Sequence, residues 1–554
     1  MNNAFVDYLN SLHNDMASNQ NAIAELAISS PFFEATQVKR ELIPFLKNKI
    51  ESNDFIILTG HAGDGKTTLL AQLLESFGKK TSKLCISDDI EIADGKYLHY
   101  VKDFSELVVS EQDNELQRCF GRQGAAILIA NTGPLLGAFK RLAGNGIEEN
   151  LLDAMDSPAG KEIEIDALGT VYLLNIARVD NTDFIKPFLQ NILNDEHWVD
   201  CKECPHAKNC PIFFNQQIVK LRFDRAATLI ENMYIWLQEY DLRATIRQMT
   251  AHLTFSMTGG LSCEAVKLHG NSDWEYTYLF SNLFFGYKGN HQMKNAQQIR
   301  GITLVNSMGF DRKQTSIDYD LHTCTRYSDY FPDLLADVIN NALNGAQHRS
   351  KVSAQQILKR AYYFFGHNTD ENDKLINDQV FSEWFDVYLD IRKRGIKPKS
   401  PVCNAIFHAI DTLFIGESAD GNISQINLTL RRNNEQLSNV QLLSGRIGTD
   451  DIALKCVQQP SISTTQKNYR LELQTGKVKF PLNLPLLNYC CEIHHGIIMT
   501  DIDPLLSNGI DSLKAQLLSH SHPNTDDNQV QIVFLEGTKW TKRTLTIDNH
   551  SIDH

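Results

Sequence analysis

The 554-residue sequence lacks the features of a membrane or secreted protein. No apolar run reaches transmembrane length without interruption; the nearest, 125–139, contains Asn131, Gly133 and Pro134. The opening MNNAFVDYLNSLHNDM carries neither a basic region nor a long apolar core, so no secretory signal is expected. Positive charge is not in excess either. Lys and Arg number 53 against 67 Asp and Glu, a net charge of −14, which argues against a surface coated for nucleic acid but leaves room for a local basic groove or a basic partner. Cysteine is sparse, at 11 mostly scattered residues, which suits a reducing cytosol and a cytoplasmic location rather than a disulfide framework. There is no internal repeat, no long low-complexity tract, no carboxylate–lysine cluster of a nuclease and no helicase motif series.

What is present begins with an ordinary globular composition, 42% apolar and 22% charged, and a length that suits two to four domains. Its most informative stretch is FIILTGHAGDGKTTLL, 55–70. Phe55 to Leu58 form an apolar run fit for a buried parallel strand. Gly60, Gly63, Asp64, Gly65, Lys66 and Thr67 then fit G-x-x-x-x-G-K-[ST] at every fixed position. Glycines let the backbone curl so that successive N–H groups face phosphate oxygens. Lys66 can reach the β- and γ-phosphates, and the Thr67 hydroxyl can ligate Mg²⁺. Thr68 opens a helical stretch whose N-terminus favours an anion. ATP with Mg²⁺ is the expected ligand.

Along the chain, 1–50 reads as helical, with Phe5, Tyr8, Leu9 and Leu12 on one face. Residues 51–190 alternate strand-like and helical segments, with strands expected at 55–58, 83–87, 97–101, 126–130 and 171–176. Residues 191–260 hold a cysteine cluster and a helical lid, broken near Tyr240-Asp241, and 261–415 reads as helical. Residues 416–554 turn β-rich, with helices near 486–494 and 504–520. The expected fold is α/β: a P-loop NTPase core with a parallel, AAA+-like sheet, then a helical region, then a β-rich α+β domain.

Hydrolysis needs an acid beside Mg²⁺ and a group that orients water. Asp88 and Asp89 follow the apolar KLCIS; Asp103 follows YLHYV and Lys102. In AAA+-like cores the metal acid lies on the second strand after the P-loop helix, which favours Asp103, with Asp88 and Asp89 as alternatives. Phe104 stands where a water-polarising glutamate usually follows, and Glu106 lies two residues further on. Asn131, ending the apolar AAILIA, matches the polar sensor position of such cores. Arg243 and Arg247, one helical turn apart if LRATIRQM is a helix, are candidate lid arginines. Cys201-x2-Cys204-x5-Cys210 can converge on a soft metal, with His197 or His206 as the fourth ligand; zinc, free thiols and an iron–sulfur cluster are the open alternatives.

The loop GHAGDGKTTLL, followed in order by YVKDFSEL, ILIANTGPLLGAF, VYLLNIARV, CKECPHAKNCP, LRATIRQMTAHLTFSMTGG, LKRAYYFFGH and PLNLPLLNYCCEIHHG, resembles DptF-type proteins. These are ATPase components of bacterial DNA phosphorothioation-dependent restriction systems. The resemblance implies an ATPase subunit of a multi-protein restriction or anti-phage complex whose partners supply most of the DNA contacts and the cutting. A stand-alone sensor ATPase that forms homo-oligomers, and a scaffold that holds ATP without turnover, are the competing expectations.

Overall fold

The computed structural model describes residues 2–13, 30–79, 84–344, 351–367, 374–415, 424–429, 439–462, 467–497, 502–521 and 528–553, apart from 94, 145, 166–167, 271–272, 538 and 549–550. The chain divides into two compact units, Met1–Asp373 with Pro460–Thr464, and Lys374–Gln459 with Thr465–His554.

The first unit is built on a six-stranded sheet of β1 (Phe55–Thr59), β2 (Ser87–Ala93), β3 (Lys96–Val101), β4 (Ala125–Ala130), β5 (Lys161–Ile165) and β6 (Gly169–Asn175). Their order across the sheet is β2-β3-β4-β1-β6-β5. β3, β4, β1 and β6 run parallel, and β2 and β5 pair antiparallel at the two edges. All five residues of β1 are buried, as an apolar run without alternation demands of a central parallel strand. Its pleat splits them between two apolar layers. Phe55 and Ile57 join Leu128, Leu135 and Phe139 on one face; Ile56 and Leu58 join Leu70, Leu73 and Ile127 on the other. Helices therefore cover both faces, α2 (Lys66–Ser76) on one, α3 (Val109–Phe120) and α4 (Thr132–Ala143) on the other. The preceding α1 (Ala4–Ser11) buries Phe5, Tyr8 and Leu9, the face expected from its spacing.

The strand expected at 83–87 is not found. Lys83 lies outside the described residues, Leu84 to Ile86 are not strand, and β2 begins at Ser87. The alternation in Asp89-Ile90-Glu91-Ile92 makes an edge strand that turns back through Gly95 into β3. Asp88 and Asp89 therefore face Tyr100 and His99 within a hairpin, rather than ending a parallel strand.

Past the sheet come α5 (Pro211–Leu221), α6 (Phe223–Glu239), α7 (Ile246–Thr258) and α8 (Cys263–His269). The break between α6 and α7 falls where expected, with Asp241 at φ 58°. Arg243 lies in the non-helical segment before α7, so it and Arg247 do not share a helix as the spacing suggested. Side-chain hydrogen bonds tie α1 to the end of α7: Thr258 Oγ1 donates to Asn10 Oδ1 at 2.6 Å, and Asn10 Nδ2 to the Leu261 carbonyl at 2.8 Å.

The second unit holds antiparallel strands in groups of five and three, with helices Phe385–Arg394, Ser400–Ile415, Leu484–His494 and Pro504–Leu518. The division at 373/374 falls inside the stretch 261–415 read from sequence as one helical region, so its last helices belong with the β-rich half. In this unit the buried Asp411 accepts from the Asn427 backbone N–H at 2.7 Å and from Asn427 Nδ2 at 3.0 Å, stitching a helix to Gln425–Thr429.

Candidate functional site

The turn from β1 to α2 carries the glycine-rich loop at the carboxyl ends of the parallel strands, where open α/β sheets place their ligand crevices. Gly60 has φ 152°, and a Cβ there would stand 2.7 Å from Ile176 Cγ1. Gly63 has φ 93°, and its Cβ would stand 3.0 Å from Thr245 Oγ1. The loop thus follows a path that side chains would block at both positions.

Asp64 organises the loop from inside. It is 1% exposed. Its Oδ2 accepts the His61 N–H at 3.0 Å, and its Oδ1 accepts from Arg243 Nη1 at 2.8 Å. Arg243 also donates to the Ile176 carbonyl at 3.3 Å, so one guanidinium joins the loop to the end of the β6 segment. Arg40 sits close enough to feel the same carboxylate; burial pulls its guanidinium down to about 10, opposed by the attraction of Asp64. On the other side of the loop, the Arg247 backbone N–H donates to the Gly63 carbonyl at 3.1 Å.

Lys66 Nζ donates to the carbonyls of Gly60 at 2.8 Å and His61 at 2.9 Å, and to Asn131 Oδ1 at 3.3 Å. Burial pulls this ammonium below the usual lysine range, against the pull of Asp64 and Asp103, and Arg247 adds to the lowering. Thr67 and Thr68 lie half-buried in the first turn of α2. Asn131 follows β4, and its backbone N–H donates to Ser105 Oγ at 2.9 Å. Asp103 follows β3 by two residues and caps a short turn by accepting the Ser105 N–H at 3.2 Å. Because β4 lies between β1 and β3, Lys66, Asn131 and Asp103 come from three successive strand ends.

Glu106 is exposed, in the turn that follows Asp103. Phe104 is fully buried in the core. Asp89 is engaged elsewhere, pairing with Arg118 at 2.8 Å, Arg122 at 2.6 Å and His99 at 3.3 Å. Asp89 lies on the edge strand β2, separated from β1 by β3 and β4.

The cysteine segment forms a second centre. Cys201, Cys204 and Cys210 line a small cavity of about 20 Å³, and so do His206, Asn3 and a residue that spacing did not single out, Cys263. His197 does not line it; its ring stacks on Phe5 with centroids 4.6 Å apart. Burial pushes the thiols of Cys201 up to about 11 and Cys210 up to about 12, and raises Cys263 as well. Among the described residues, the one group of three such ligand atoms mutually within 4.8 Å is Glu383, Cys491 and His495 in the second unit, two of them exposed.

Sequence reasoning missed Cys263, Arg40 and the Asp64–Arg243 pair, all formed by residues far apart in the chain. No protein-family model matches the sequence, and neither the curated proteins nor the solved structures compared with it give a match. No described helix is long and apolar enough to cross a membrane.

Proposed function

We propose that the first unit is a P-loop nucleotide-binding module with an AAA+-like core that binds and hydrolyses ATP. The observation that carries this reading is the convergence of Lys66, Asn131 and Asp103 on the glycine loop from three adjacent strand ends. The Lys66 ammonium can exchange its carbonyl acceptors for β- and γ-phosphate oxygens, which are stronger acceptors because they are charged. The backbone N–H groups of Gly63, Gly65 and the α2 N-terminus supply further donors. Thr67 and Asp103 are the residues that would hold Mg²⁺, which neutralises phosphate charge during transfer. Asn131, which accepts from Lys66, would be the residue that orients an attacking water. Arg243 fixes the loop through Asp64, and Arg247 contributes positive charge from α7.

The order of motifs along the chain supports a role as the ATPase subunit of a multi-protein restriction or anti-phage complex. There it would couple nucleotide state to partners that contact and cut DNA. One observation favours a partner-activated enzyme over a fast autonomous one. The residue after Asp103 is the buried Phe104, and no acid stands at that position to polarise water.

ATP hydrolysis by the purified chain, alone and with duplex DNA, is the test. Turnover abolished by Lys66→Ala is expected, and stimulation by DNA would place the DNA contact on this chain. Wild-type turnover in Lys66→Ala would remove the basis of the proposal. Tight ATP binding without turnover would instead support a nucleotide-holding scaffold.

A further inference from the structure

We propose that Cys201, Cys204, Cys210 and Cys263 form a four-thiolate metal centre of the class that holds a single zinc ion or an iron–sulfur cluster. The four residues come from three places in the chain. Cys201 lies in the one-turn helix Val199–Lys202, with Cys204 just beyond it. Cys210 precedes α5, and Cys263 opens α8. All four line one cavity, and they are close enough to feel one another's charge: Cys201 with Cys204 and Cys263, Cys210 with Cys201 and Cys263, and Cys263 with Cys204.

Hydrogen-bond donors face the sulfurs. Asn3 Nδ2 donates to Cys201 Sγ at 3.3 Å. The Asn3 backbone amide bonds Cys263, and the amides of Ile212 and Phe213 at the start of α5 bond Cys210. Donors aimed at three of the four sulfurs are the outer-shell arrangement that metal-bound sulfur needs. The Asn3 side chain is also held, by its bond to the His197 carbonyl at 2.8 Å. Each thiol releases its proton to solvent when the metal binds; a zinc ion needs no other reactant, whereas a cluster needs inorganic sulfide supplied with its iron.

A closed zinc site, with Zn–S near ~2.3 Å, needs its sulfurs about 3.8 Å apart. No three of these sulfurs lie mutually within 4.8 Å. Closing on one zinc ion would therefore need the sulfurs to draw together, whereas a cluster holds its thiolates farther apart. His206 lines the same cavity but is exposed, and four thiols complete either kind of site without it.

The full chain, purified anaerobically, is assayed for zinc, iron and acid-labile sulfide and for visible absorption. Either stoichiometric iron with sulfide or one zinc per chain is expected; the two results identify the metal. Cys263→Ser should lower metal content by on the order of tenfold or more, while His206→Ala and His197→Ala retain it. Wild-type metal content in Cys263→Ser, loss of metal in His206→Ala, or a metal-free wild type would each overturn the proposal. Because Cys263→Ser could fail to fold, thiol alkylation of the wild type is read by peptide mapping before and after chelation. Protection of 201, 204, 210 and 263 together supports the centre, and protection of only the first three overturns it.

Discussion

At the scale of single residues, Asp64 carries more than its place in the motif requires. A carboxylate 1% exposed must be paired, and its pairing to Arg243 makes the loop depend on a residue 179 positions away. Removing either partner breaks a buried ion pair, so Arg243→Ala and Asp64→Ala are each expected to cost about 3 kcal/mol. In a double-mutant cycle read by urea unfolding, the pair should fall short of additivity by roughly 1–3 kcal/mol. Full additivity would mean that the two side chains do not support each other. The motif spacing made Lys66, Thr67 and the glycines legible in the sequence, because local backbone geometry dictates them. The partner of Asp64 was not legible, because nothing local records which distant arginine answers a buried acid. Cys263 escaped for the same reason: its 53-residue separation from Cys210 carries no periodic signal.

At the scale of elements, the β1–α2 turn and the Ser400–Ile415 helix each make a testable statement. Gly60→Ala places a methyl group against Ile176 at a positive φ, a strain of about 1–3 kcal/mol. The expected outcome is a lower thermal midpoint together with weaker ATP binding. Unchanged binding would show that the loop path is not set at Gly60. In the second unit, Asp411 is pushed up to about 6 by burial, against the bonds from Asn427 and the charge of Lys542. Its folded value lies above the unfolded one, so the native state binds the proton more tightly. Its contribution to stability is therefore greatest below about pH 4, falls as pH rises toward about 6, and is constant above that, a span of about 3 kcal/mol. Denaturant unfolding across that range should show this slope in the wild type and lose it in Asp411→Asn. An identical slope in both proteins would assign it to other groups. The element types were largely readable: buried strands as apolar runs, amphipathic helices as spaced apolar residues. The β2–β3 hairpin was misread because four apolar or small residues at 84–87 resemble a parallel strand more than the alternating segment that follows them.

At the scale of the whole molecule, two units with separate cores predict two unfolding events. Calorimetry should resolve both. Mg-ATP at a hundred times its Kd should raise only one of them, by about 2.7 kcal/mol, since the loop lies in the first unit alone. A single transition, or equal shifts of both, would contradict independent units or the location of the nucleotide site. The division at 373/374 was not visible in composition, because helices stand on both sides of it; what differs is which unit they belong to.

The sheet order also has a consequence for biosynthesis. β1, the earliest strand of its sheet to leave the ribosome, takes its place between β4 and β6, and the second of these neighbours is complete only when residue 175 has been made. At ordinary translation speeds that leaves an interval on the order of 10 s in which Phe55–Thr59, apolar in four of its five residues, has no finished seat. The glycine-rich loop is synthesised early and is completed late, after Arg243 has emerged to close on Asp64.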